Sequence, residues 1–214
     1  MLNLKIIKKL IKKELIIMKL IEEGFLQRNK VVLIIALALF IFPAFLGAAV
    51  TYQNMGSNYG MISQNLYHLS QTGHPSPIQG VDGVEIFFHN LSVDLMVVLG
   101  GFLFSIISVL LVVYNGFIIG APFGTDVLFA SVSILPHSII EYPASIFTLA
   151  AAFNITLLEV KMIKNRAFKS VLEENKVMLK DILALVIISV IFLIVAAFIE
   201  GNLTVPIVNW VYGF

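Results

Sequence analysis

The sequence predicts an all-α polytopic membrane bundle: about five spans, a broken or re-entrant central segment, and an N-terminal interfacial amphipathic helix. Three observations predict it. Hydrophobic residues make up 59% of the 214 and charged residues 13%, against about 45–50% and about 25% in soluble domains. Uncharged apolar runs long enough to cross ~30 Å of hydrocarbon recur along the chain. All 14 Lys and Arg residues lie either in residues 1–30 or in residues 161–180. No cysteine is present, which excludes disulfides, thiolate catalysis and Cys-based metal sites.

Residues 1–30 form a unit apart from the transmembrane domain of residues 31–214. Lys5, Lys8, Lys9, Lys12, Lys13 and Lys19 recur at three-to-four spacing, while Leu4, Ile7, Leu10, Ile11, Leu15, Met18 and Ile21 largely occupy the other side. A basic amphipathic helix of this kind lies in the membrane interface, its charges toward anionic lipid. No small-residue cleavage site follows it, as a secretory signal would require. A nucleic-acid arm would leave the apolar face without a partner, so no nucleic acid is expected as a ligand.

Val31 to Val50 is the first span, at ~1.5 Å per residue enough to cross. Ile182 to Ile199 is the last, closed by Glu200-Gly201. Between them Asp94–Phe123 and Val127–Leu158 are each longer than one crossing needs. The positive-inside rule places the basic arm and the basic loop of residues 159–181 in the cytoplasm, and the loop of residues 51–89 outside. An even number of crossings must then separate Lys30 from Lys161. Two arrangements satisfy this. In the favoured one the chain crosses at about 92–113, turns at Asn115-Gly116, crosses at about 117–135, breaks at Pro136 and crosses at about 138–158. In the other, residues 116–158 form a re-entrant pair, a break that is tolerated where it is buried in protein. Both make a multi-pass plasma-membrane protein with a cytoplasmic N-terminus and an outer C-terminus, anchored by Trp210 and Tyr212.

The outer loop, rich in Gly, Asn, Ser and Gln, is too long for a simple connection. Tyr52, Met55, Tyr59, Met61, Leu66 and Tyr67 suit it to a short amphipathic helix on the outer surface, a lid or a partner anchor. His68 and His74 have no carboxylate pair nearby and are not read as a metal site.

Residues 90–158 carry the polar residues that need explaining. Between Leu95 and Leu158 the carboxylates are Asp126 and Glu141, with no Lys or Arg. Glu141 sits deep in an apolar run, where an ionisable group marks a functional site by default. In a helix after Pro136, His137 and Glu141 are four apart on one face and can share a proton or a hydrogen bond, the least costly way to keep both out of water. Gly116, Gly120 and Gly124 form one small-residue stripe, suited to tight packing within a subunit or to a homodimer seam. Asn90, Asp94 and Asn115 lie at edges of apolar runs, where capping is the plain explanation.

Asn90 near a helix start, Asn115-Gly116-x3-Gly120, and Pro136-His137-x3-Glu141-x-Pro143 together resemble the stage II sporulation protein M family of integral membrane proteins. The likeness covers residues 90 to about 152, and the family usually has Gly where Ser138 stands. The resemblance implies a membrane protein that, in spore formers, acts beside cell-wall hydrolases during engulfment without known catalysis of its own. It also marks Asn90, Asn115, Gly116, Gly120, Pro136 and Pro143 as structural-motif residues.

Three functions compete. The first is a non-enzymatic scaffold in the lipid bilayer, holding membrane or envelope protein partners through its loops. The second is a small homodimeric permease or channel-like carrier, in which His137, Glu141, His89 and Asp94 bind substrate or relay protons. An intramembrane enzyme is third, since no zinc-protease, Ser or Cys nucleophile motif occurs. No cofactor is expected, and no metal is assigned, because His137 and Glu141 need at least one more ligand. A water-filled cavity reaching His137 and Glu141 favours the carrier or enzyme; a dry, packed site favours the scaffold.

Overall fold

The computed structural model describes residues 21–71 and 82–213. Of the amphipathic helix expected over residues 1–30, residues 1–20 lie outside them, and residues 25–30 already belong to the first long helix. The described residues are helical almost throughout, and five helices are long and apolar enough to cross a membrane. Helix α1 spans Phe25–Met55, and a short helix α2 spans Met61–Gln71. Helix α3 spans Gly83–Leu99 and runs on through a 3-10 turn to Leu103; α4 spans Ile106–Thr125. A single short helix, α5 (Val127–Ser133), leads to α6, Leu135–Asn165. Helices α7 (Phe168–Glu174) and α8 (Lys176–Ile199) follow. A π-helical turn, Glu200–Thr204, then joins α8 to α9, Val205–Tyr212.

The central segment is broken, as its Pro and Gly content predicts, but at different points. The turn expected at Asn115-Gly116 is instead at Phe104-Ser105, where both residues adopt left-handed backbone angles (φ 52° and 56°). Ser105 Oγ meets Thr156 Oγ1 at 2.7 Å, and Thr156 Oγ1 donates to Gly101 O at 2.9 Å, which ties the turn to α6. Asn115-Gly116 is mid-helix because Gly116 serves close packing and not reversal. A Cβ on Gly116, Gly120 or Gly124 would strike the backbone carbonyl of Phe40, Ala44 or Ala48 respectively, and one on Gly47 would strike that of Phe117. The matching four-residue steps show α1 and α4 lying parallel along a seam with no room for side chains. The glycine stripe is therefore filled by α1 of the same chain and is not free for a second copy.

The second break falls at Asp126, whose carboxylate caps α5 through Phe129 N at 3.0 Å, and again before Leu135. Pro136 sits in the first turn of α6, where a missing N–H costs nothing. The fourth span thus begins near Leu135 and the second at Gly83, where a Cβ would meet Ala197 O at 2.8 Å.

The two ends of the bundle differ in kind. At one end Arg28 holds Asp181 with two hydrogen bonds of 2.8 Å each, Asn29 joins at 3.1 Å, and Asn154 donates to Asn29 at 2.7 Å. Glu22 pairs with Lys180. At the other end Asp126 accepts from Ser63 N and Ser63 Oγ, both at 2.7 Å, and Tyr212 Oη lies 2.7 Å from Ser63 Oγ. Hydrogen bonds to this carboxylate outweigh its burial and hold Asp126 below the ordinary aspartate range. An apolar core lies between the ends, with Ala150, Ala151, Ala184 and Leu185 in one cluster and Ala36, Phe40, Val97, Val112 and Leu149 in the other.

Candidate functional site

Three helices bring their polar residues to one line. On α6, His137, Glu141 and Ser145 follow at four-residue intervals, about 12 Å along one face. Helix α3 sets Asn90 and Asp94 beside them, and Asn115 comes from α4. Helix α8 contributes Ser189, and the π turn contributes Glu200 and Thr204.

Asp94 is 3% exposed and accepts from Ser145 Oγ at 3.1 Å and Ser189 Oγ at 2.8 Å. It therefore ties α3, α6 and α8 together at mid-depth. Above it lies a cavity of about 170 Å³, lined by His89, Asn90, Asp94, Asn115, Glu141 and Ser145, with apolar side chains between them. That is large against the ~10–15 Å³ a single water needs, and the lining has the polar partners a water requires.

His137 is 8% exposed. Its Nδ1 lies 3.4 Å from Thr204 Oγ1, and its Nε2 lies 3.8 Å from Glu200. The clasp expected between His137 and Glu141 is thus a clasp to the π turn, with Glu141 facing the same space from below. One ligand atom from each of His137, Glu141 and Glu200 can be chosen so that all three lie within 4.8 Å of one another. π turns are rare and cluster at functional sites; this one carries two of the groups facing His137.

The structure gathers His137, Glu141, His89, Asp94, Asn90 and Asn115 on one polar line. It leaves the glycines on the opposite face of α4 and Pro143 inside α6. Ser138, in the place where glycine is usual, is buried at 2% exposure. Glu200 and Thr204 were missed from sequence because Glu200 ends the apolar run of α8 and reads as the membrane edge. The overlooked signal was the second apolar stretch after Thr204, which carries the helix on to Tyr212 and sets Glu200 inside the span.

The line is closed at one end. Below Asp94 and Ser145, the small apolar residues Ala150 and Ala151 and the side chains of Ala184 and Leu185 separate it from the Arg28–Asp181 cluster. No Lys or Arg occurs in residues 31–160 or after Lys180, so Asp94, Glu141 and Glu200 lie along this line with no Lys or Arg beside them.

The sequence matches the family described as Stage II sporulation protein M over residues 35–205, a range that includes every residue of this line. It is similar to an uncharacterized protein of Methanocaldococcus jannaschii, 27% identical over 168 residues, covering 73% of this chain and 92% of that protein. No solved structure matches.

Proposed function

This chain belongs to the stage II sporulation protein M family of integral membrane proteins, and we propose that it is a small channel-like carrier that binds protons or cations at its central polar line. One observation carries the proposal: Glu141 and Glu200 face His137, and Glu141 and Asp94 line a polar cavity beside it, in regions of the sequence with no Lys or Arg. An unpaired charge at membrane depth costs at least about 2.5–3.5 kcal/mol. Bound protons or a bound cation offset that cost, and a group that must take up a proton or cation to stay in the membrane can also release it. The residues act in order: His137 and Glu200 receive the ion near the Asp126 end, Glu141 passes it inward, and Asp94 holds it above the apolar core.

The orientation follows the positive-inside rule. Arg28, Lys161 and Lys180 mark the cytoplasmic end, so the polar line opens outward, and the plasma membrane is the setting. Passage to the other side requires Ala150, Ala151, Ala184 and Leu185 to part, or a second copy to complete the path across the membrane.

The scaffold reading keeps one observation in its favour. Helix α2 has no fully buried residue and is held at Ser63 like a handle, a surface suited to a membrane or envelope protein partner. Proteoliposomes containing the full chain and a pH-sensitive dye distinguish the two. Under the carrier reading, an imposed gradient drives proton or cation flux that Glu141→Gln abolishes while helical content and melting temperature are kept. Absence of flux from wild type, together with a Glu141→Gln variant that supports growth normally, overturns the carrier and leaves the scaffold.

A further inference from the structure

We propose that His137, Glu141 and Glu200 are the protein ligands of a divalent transition-metal cation of the zinc and manganese class. The inference rests on the carrier reading and names the ion that the line takes up.

The donor set fits that class. One imidazole with two carboxylates suits zinc, manganese or ferrous iron, whereas magnesium and calcium prefer oxygen alone. The spacing fits too. Two ligands of one metal with bonds of ~2.0–2.2 Å stand ~3–4 Å apart; His137 Nε2 and Glu200, at 3.8 Å, already do, and Glu141 completes the set within 4.8 Å, a gap that a small side-chain rotation closes around an ion. At 3.8 Å the imidazole and the carboxylate are too far apart for a hydrogen bond, so each is placed to bind a third party.

The imidazole is aimed. His137 is almost fully buried, and Thr204 Oγ1 at 3.4 Å engages Nδ1. Fixing one ring nitrogen leaves the other free as a ligand and sets the ring's orientation, the usual arrangement behind a metal-bound histidine. The π turn makes this possible, because it places Glu200 and Thr204 on the same side of one wide turn, facing His137. The setting agrees: two glutamates face one imidazole inside the bundle with no Lys or Arg beside them, and a dication bound there offsets the cost of holding their carboxylates at membrane depth.

Three protein ligands leave positions for water, which marks an exchangeable site and not a sealed structural one. Glu141 borders both the metal position and the polar cavity, so a departing ion has oxygen ligands to step onto.

The test uses the full chain in detergent, stripped with chelator and titrated with Zn²⁺ and with Co²⁺, whose visible absorption reports coordination. The expected result is one ion per chain, with a Co²⁺ spectrum of nitrogen and oxygen ligands. Glu200→Gln, Glu141→Gln and His137→Ala each remove saturable binding, while His68→Ala, on α2, leaves it unchanged. Thr204→Val is nearly isosteric and touches no metal position; it weakens binding by about 10-fold or more. Should a ligand variant fail to fold, protection of His137 by Zn²⁺ from diethyl pyrocarbonate, read by mass spectrometry of wild type, provides the same decision. No saturable binding by wild type, no protection of His137, or equal affinity in Glu200→Gln overturns the inference. Proton flux without metal binding defeats the metal site and keeps the carrier; metal binding without flux of protons or metal keeps the site and defeats the carrier.

Discussion

Asp126 shows how one side chain can order an end of the bundle. Its carboxylate takes hydrogen bonds from Phe129 N, Ser63 N and Ser63 Oγ, and Ser63 in turn meets Tyr212. One residue therefore joins α2, α5 and α9. All of these donors favour the ionised form, so the folded protein holds Asp126 below the usual aspartate range. A carboxyl depressed on folding contributes stability that is present above its unfolded pKa and lost as pH falls through the folded one. The expected outcome is that wild type and Asp126→Ala differ in stability by about 1–3 kcal/mol near neutrality. The difference should shrink as pH drops below about 4. Melting curves in detergent across that range check it, and a gap that persists unchanged in acid contradicts this account. Asp126 stood out in the sequence as one of two carboxylates in a long apolar stretch, but nothing local to it pointed to Ser63 or Tyr212.

Among the elements, the α1–α4 pair is the tightest. Parallel helices meet where Gly116, Gly120 and Gly124 face the carbonyls of Phe40, Ala44 and Ala48. Overpacking a core typically costs ~1–3 kcal/mol. Here the obstacle is main chain, which cannot rotate aside, so Gly120→Leu should reach the upper part of that range or prevent assembly. Expression yield and melting temperature in lipid measure it; an unchanged melting temperature would mean the seam is looser than its backbone geometry. The small-residue spacing was plain in the sequence, but its partner was not. A glycine permits both a turn and a close approach, and which one Gly116 performs depends on α1, more than seventy residues earlier. The same ambiguity placed the reversal at Asn115-Gly116, when the chain reverses at Phe104-Ser105.

For the whole molecule, the two described parts of the basic segments meet at one end, through the Arg28–Asp181 pair and the Glu22–Lys180 pair. With 14 of 14 Lys and Arg in these segments, the positive-inside rule predicts that end to be cytoplasmic. Single cysteines at Ser70, Lys169 and Gly213 in sealed vesicles test it: positions 70 and 213 should label from outside and 169 should not, and outside labelling of 169 reverses the topology. The sequence by itself determined the all-helical class and the family, favoured five crossings over a re-entrant arrangement, and singled out His137 and Glu141 as candidates. These follow from hydropathy and charge along the chain, because a bilayer sorts residues by depth alone and depth is legible in one dimension. Only the tertiary structure decided which faces meet. Glu200 lies 59 residues beyond Glu141 in the sequence and reaches the site because α8 runs back beside α6 and opens into a π turn at that level. Burial beside a neighbour depends on rotation and register between helices, and no local pattern records either.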